Sequence, residues 1–173
     1  MMRYVLFSSF LALMTLGLVS QASAQERHVA VGLYGNSGIS MGPGQDGPVI
    51  LQSPVAAEVG VRTWTDIDPE IVTYMGLRLE VAESTAVGLI PRIEYNRAAG
   101  ATWFHIRPFA GLPFFFSPFS LLGLEAGLSL DFGMGDFSLV LSMMADVYFW
   151  GSDLPKDSTL FMFNGSLGFE LEL

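Results

Sequence analysis

The sequence predicts an all-β fold, an antiparallel up-and-down barrel of about eight strands, on three observations. Apolar and polar residues alternate with period two over most of the chain. Of its 173 residues 51% are hydrophobic and only 14% charged, an unusual balance for a domain with a water-facing surface. Beyond the first 24 residues, no apolar run is long enough for a membrane-crossing helix.

The first segment is read as a leader and set aside. Arg3 supplies a basic start, 4–19 an apolar stretch, and Ala22-Ser23-Ala24 small residues at a cleavage position. The expected division is a signal peptide over 1–24 and one barrel domain over 25–173. Without Arg3 the mature part carries seven basic against 17 acidic residues, which disfavours nucleic acid as a partner. There is no cysteine, so a disulfide framework and a thiolate metal site are excluded.

The strands follow in order. In 27–35, Val29, Val31 and Leu33 point one way. In 55–65, Val55, Ala57, Val59 and Val61 oppose Glu58, Gly60, Arg62 and Trp64. In 71–82, Met75, Leu77, Leu79 and Val81 oppose Tyr74, Gly76, Arg78 and Glu80. The stretch 85–96 sets Val87, Leu89, Ile93 and Tyr95 against Gly88, Arg92, Glu94 and Asn96. In 102–112, Phe104, Ile106 and Leu112 oppose His105, Arg107 and Gly111, with Pro108 as a missing ladder donor. In 120–132 four leucines oppose Gly123, Glu125, Gly127 and Asp131; in 137–150, Leu139, Leu141, Met143, Val147 and Phe149 oppose Ser138, Ser142, Asp146 and Tyr148. From Phe161 the alternation runs to Leu173. With both ends periplasmic, 65–70, 96–101 and 133–136 are expected as short inner turns, and 36–53, 82–85, 112–120 and 151–158 as outer loops.

Alternation alone does not say which face is inside. Three features put the polar face inward and make the barrel a transmembrane one. The polar parity is rich in glycine, which suits a narrow interior. Its charges have both signs at mid-strand, where a small barrel must neutralise them locally. Aromatic residues gather near strand ends, where membrane interfaces fall. An interior charge network of Glu58, Arg62, Arg78, Glu80, Arg92, Glu94, Arg107, Glu125 and Asp146 is therefore expected, with Glu58 beside Arg78 and Arg107 beside Glu125.

On these features the chain resembles the small eight-stranded outer-membrane barrels that include the transmembrane domain of outer membrane protein A. The resemblance covers 25–173, and Phe169-Glu170-Leu171-Glu172-Leu173 is similar to the C-terminal signal read by the barrel-assembly machinery, although the family's last residue is usually aromatic. It implies an integral outer-membrane location, with outer-membrane lipids and the assembly machinery as partners.

No catalytic residue, metal site or cofactor is assigned. His28 and His105 both begin strands at the periplasmic end, away from the outer leaflet where lipid-modifying barrels work. Asp66, Asp68 and Glu70 read as solvated turn charges, and the glycines of 32–47 as loop punctuation without a phosphate-binding Lys-Ser/Thr pair. The connection holding Phe114, Phe115, Phe116 and Phe119 is a candidate hydrophobic contact loop. The functional expectation is a structural or interaction role for a side-chain-filled barrel. Its rivals are a narrow pore or transporter, an outer-leaflet lipid-modifying enzyme, and a soluble barrel with inverted faces.

Overall fold

The computed structural model describes residues 27–44, 47–52, 54–81, 85–118, 120–152, 154–155 and 158–173. The expected leader lies outside them. Eleven strand segments are present: β1 (Arg27–Gly44), β2 (Gly47–Gln52), β3 (Val55–Thr65), β4 (Asp68–Val81), β5 (Thr85–Tyr95), β6 (Arg97–Ala101), β7 (Phe104–Gly111), β8 (Phe114–Ser117), β9 (Leu121–Met134), β10 (Phe137–Gly151) and β11 (Leu160–Glu172). They form eight columns, because β2 continues β3, β6 continues β5, and β7 and β8 share one column between β5 and β9. Pairing of β1 with β11 over Ala30–Met41 closes the sheet, so the barrel wall has no open seam.

The registers define the barrel's shape. Directly opposite residues run from Ala30 through Arg62, Tyr74, Arg92, Gly111, Glu125, Asp146 and Met162, and return to β1 at Ser40, ten residues further along. Eight strands with that stagger give a tilt of about 41° and a radius of about 8 Å from ordinary strand spacings. Such a bore leaves room for side chains alone.

Burial shows which face points in. Arg78 and Asp146 are 1% and 0% exposed, whereas Leu33 and Met143 on the other parity are 57% and 69% exposed. This is the inverse of a water-soluble barrel. A predominantly apolar outer wall and a charged interior are the arrangement hydrocarbon demands, with the wall's backbone paired strand to strand.

Three connections differ from expectation. The stretch 36–53 is largely strand: β1 runs on to Gly44 and folds back as β2, with Ile39 opposite Gln52 and Met41 opposite Ile50. Its glycines and prolines read as loop, but β1 is held there by β11 on its other side, as far as Met41 opposite Phe161. On the opposite rim, 96–101 is not a turn but β6, and the reversal falls at 102–103. The stretch 112–120 is not all loop either, since Phe114–Ser117 forms β8. Its register with β9 is continuous, from Gly111 opposite Glu125 to Phe115 opposite Leu121. Pro113 lacks a donor and interrupts the ladder without ending the strand, and Gly123 N–H bonds its carbonyl at 3.0 Å.

Candidate functional site

Inward positions on different strands meet in two polar clusters, which the register sets roughly 12 Å apart along the barrel axis. The first lies toward the rim that carries Arg27 and Glu172. There Arg62, on β3, donates from Nε and Nη2 to Glu94 of β5 at 2.6 and 3.1 Å. Its Nη1 bonds Tyr34 Oη and Glu170 Oε1. Arg107, on β7, donates to both oxygens of Glu170 at 3.1 and 2.8 Å and lies 3.4 Å from Asp131.

The second cluster sits higher. Arg78 bridges Glu58 and Glu125 at 2.7 and 2.8 Å and lies 3.6 Å from Asp146. Arg92 bridges the same two glutamates, donating to Glu58 Oε1 at 2.6 Å and from Nε to Glu125 Oε1. Tyr74 Oη donates to Glu58 at 2.6 Å, and Asn164 donates to Asp146 at 3.1 Å. The Tyr74 ring links the levels, with the Arg62 and Arg92 guanidinium carbons 4.9 and 4.8 Å from its centroid.

Glycines make room for these rings. A Cβ on Gly60 would stand 2.1 Å from Tyr74 Oη, and one on Gly168 would stand 2.1 Å from Tyr34 Cδ1. Small inner residues therefore let tyrosines lie across the bore. Above the upper cluster an apolar layer of Ala86, Phe115, Leu121, Tyr148 and Met162, backed by Leu154 and Leu160, fills the barrel below the β1–β2 hairpin.

The structure places all nine residues of the expected network on the inner face and buries them. Glu58 meets Arg78, but Arg107 does not meet Glu125. The register sets Arg107 opposite Ser129 and Gly111 opposite Glu125, four residues along, and closure of the barrel brings Glu170 across to Arg107 instead. Glu80 faces inward, yet among the described residues it makes no ion pair. Sequence reasoning left Tyr34, Asp131 and Glu170 out of the network, although strand parity already put all three on the inner face. Parity does not say which charges on distant strands meet.

The aromatic connection divides in two. Phe115 is 1% exposed and packs inside against Tyr148, with ring centroids 5.9 Å apart. Phe114 and Phe116 face outward, while Phe119 lies outside the described residues. The three described phenylalanines do not form one contact surface, because strand alternation continues through 114–117.

At the lower rim His28 stacks on Trp64, with its Nε2 2.8 Å from Asp66 and its Nδ1 3.2 Å from Glu172. This ring stands at the rim, one residue into β1 and with its side chain 35% exposed. The hydrogen bond to Asp66, assisted by Glu172, holds the imidazole above its ordinary value of 6.5. Glu70 accepts from Tyr95 Oη at 2.6 Å. His105 is half-buried opposite Asp131.

This architecture is that of solved outer-membrane barrels. The N-terminal β-barrel domain of Pseudomonas aeruginosa OprF superposes with a TM-score of 0.55 at 8% identity, covering 86% of this chain and 99% of that one. Neisserial surface protein A, NspA, gives a TM-score of 0.55 at 7% identity with the same coverage. No protein-family model and no curated sequence matches the chain. At such identities the likeness is one of fold, so any role must be argued from this chain's own residues.

The interior chemistry serves specificity more than net stability. Buried ion pairs recover little beyond their desolvation cost, but removing one partner is expensive. A one-residue slip of β3 would turn Glu58 and Arg62 onto the outer face, where a charged side chain costs from about 2–4 kcal/mol at mid-bilayer down to about 0–1 kcal/mol near an interface. The network thus selects one register.

Proposed function

We propose that the chain is an integral protein of the bacterial outer membrane, exported by the 1–24 leader, whose closed barrel acts as a rigid, non-enzymatic scaffold for its outer segments. The observation that carries this reading is the filled interior, in which two interlocked Arg–carboxylate clusters lie beneath an apolar layer. Such a plug supports a structural or interaction role over transport. Outer-membrane lipids cover the wall, and the strand ending Phe169–Leu173 is the segment offered to the assembly machinery.

Two measurements test it. Detergent-extracted protein from the outer-membrane fraction is expected to run faster unboiled than boiled, as a compact barrel does. Purified protein in planar bilayers is expected to pass no steady current. Sustained conductance would transfer the reading to a narrow pore, and an altered lipid profile on expression would transfer it to a lipid-modifying enzyme.

A further inference from the structure

The β1–β2 hairpin continues beyond the filled part of the barrel and ends in an edge. Among the described residues β2 pairs with β1 alone. Val49, Ile50 and Leu51 are 43%, 67% and 62% exposed, and no charge interrupts Gly47–Gln52. The pairing identifies which backbone groups turn away from β1. Pro43 faces Pro48, and neither has an N–H, so this is a non-bonded pair of the antiparallel ladder. Alternation then makes Gly42/Val49 and Ser40/Leu51 the bonded pairs. The N–H and C=O groups of Ile50 and Gln52 point away from β1.

Natural edge strands of this kind are guarded by lysine, a mid-strand proline, a bulge or a covering loop. β2 has apolar side chains on both faces and carries no charged guard. We propose that the β2 edge is a strand-addition site, which takes an extended, uncharged, apolar segment of another polypeptide through backbone bonds to Ile50 and Gln52. A charged partner is disfavoured because nothing on β2 would compensate its desolvation. A neighbouring copy in the same bilayer is disfavoured by geometry. Two such barrels are related by an axis along the membrane normal, so strands tilted about 41° cross at about 80° and do not align. This deepens the interaction reading above. Its failure would leave that reading standing, because the test depends on neither location nor conductance.

The test uses the mature chain in detergent micelles and an uncharged hexapeptide of alternating threonine and valine as probe. Amide shifts of Ile50 and Gln52 are expected to move on titration, and N-methylation of alternate peptide residues is expected to abolish the effect. Ile50→Pro removes the outward donor without touching the bonds to β1, and is expected to weaken binding about tenfold or more; Ile50→Thr keeps the donor and is expected to stay within about threefold. Equal binding of the N-methylated peptide, or equal loss in both variants, would mean side-chain adhesion and overturn the proposal. So would absence of binding, or a dimer in light scattering that Ile50→Pro dissolves, which would assign the edge to a second copy.

Discussion

Replacing Glu58 by glutamine removes the charge on which two guanidiniums converge while leaving the side chain's shape unchanged. Glu58 is 1% exposed and accepts from Arg78 Nε at 2.7 Å, Arg92 Nη1 at 2.6 Å and Tyr74 Oη at 2.6 Å. Hydrogen bonds to charged groups contribute about 1.5–3 kcal/mol each, but they are not additive when the partners share a second acceptor. Here Arg78 and Arg92 both keep Glu125. The glutamine carbonyl still accepts one bond, while its amide group faces a donor. The loss should therefore fall near the cost of breaking a buried pair, about 3–5 kcal/mol. Equilibrium unfolding by urea in phospholipid vesicles, followed by tryptophan fluorescence, measures it. Glu80→Gln is the control, since Glu80 shares the inner face without an ion pair among the described residues, and should cost under about 1 kcal/mol. A Glu58→Gln cost below about 1 kcal/mol, or equal costs for the two variants, would refute the claim that convergent pairing, rather than inward placement, makes Glu58 indispensable.

Further predictions follow from packing and charge. Gly60→Ala should destabilise by about 1–3 kcal/mol by driving a methyl into Tyr74, whereas Gly35→Ala, with open space on the outer wall, should stay within about 0.5 kcal/mol in the same urea assay. Phe115→Ala should cost about 3–5 kcal/mol and Phe116→Ala distinctly less, because only Phe115 fills the interior; equal losses would mean that 114–117 does not alternate. His28, with its folded-state pKa raised, contributes stability that is fully present below pH 6.5 and is lost as pH rises through the folded value. NMR titration of its ring should show a midpoint above 6.5 that Asp66→Asn lowers; an unchanged midpoint would remove Asp66 as the main cause.

Period-two alternation, charges of both signs on one parity and the lack of a membrane-length helix were enough to determine an all-β barrel and which residues face its interior. These are local properties, since a residue's side of a strand depends only on counting along it. The sequence also put Glu170 on the inner face, but it reads Phe114, Phe115 and Phe116 as one connection, and only the continued pairing with β9 turns Phe115 inward. What it did not contain is the stagger between strands. Whether Arg107 reaches Glu125 or Glu170 depends on a ten-residue shear summed around eight pairings and on closure of β1 against β11. The hairpin over 39–52 was hidden for a related reason. Its glycines and prolines have low strand propensity, and pairing of β1 with β11, far away in sequence, together with β2 holds the chain extended there. Contacts between distant strands follow from the sum of all registers, and only the closed tertiary structure supplies that sum.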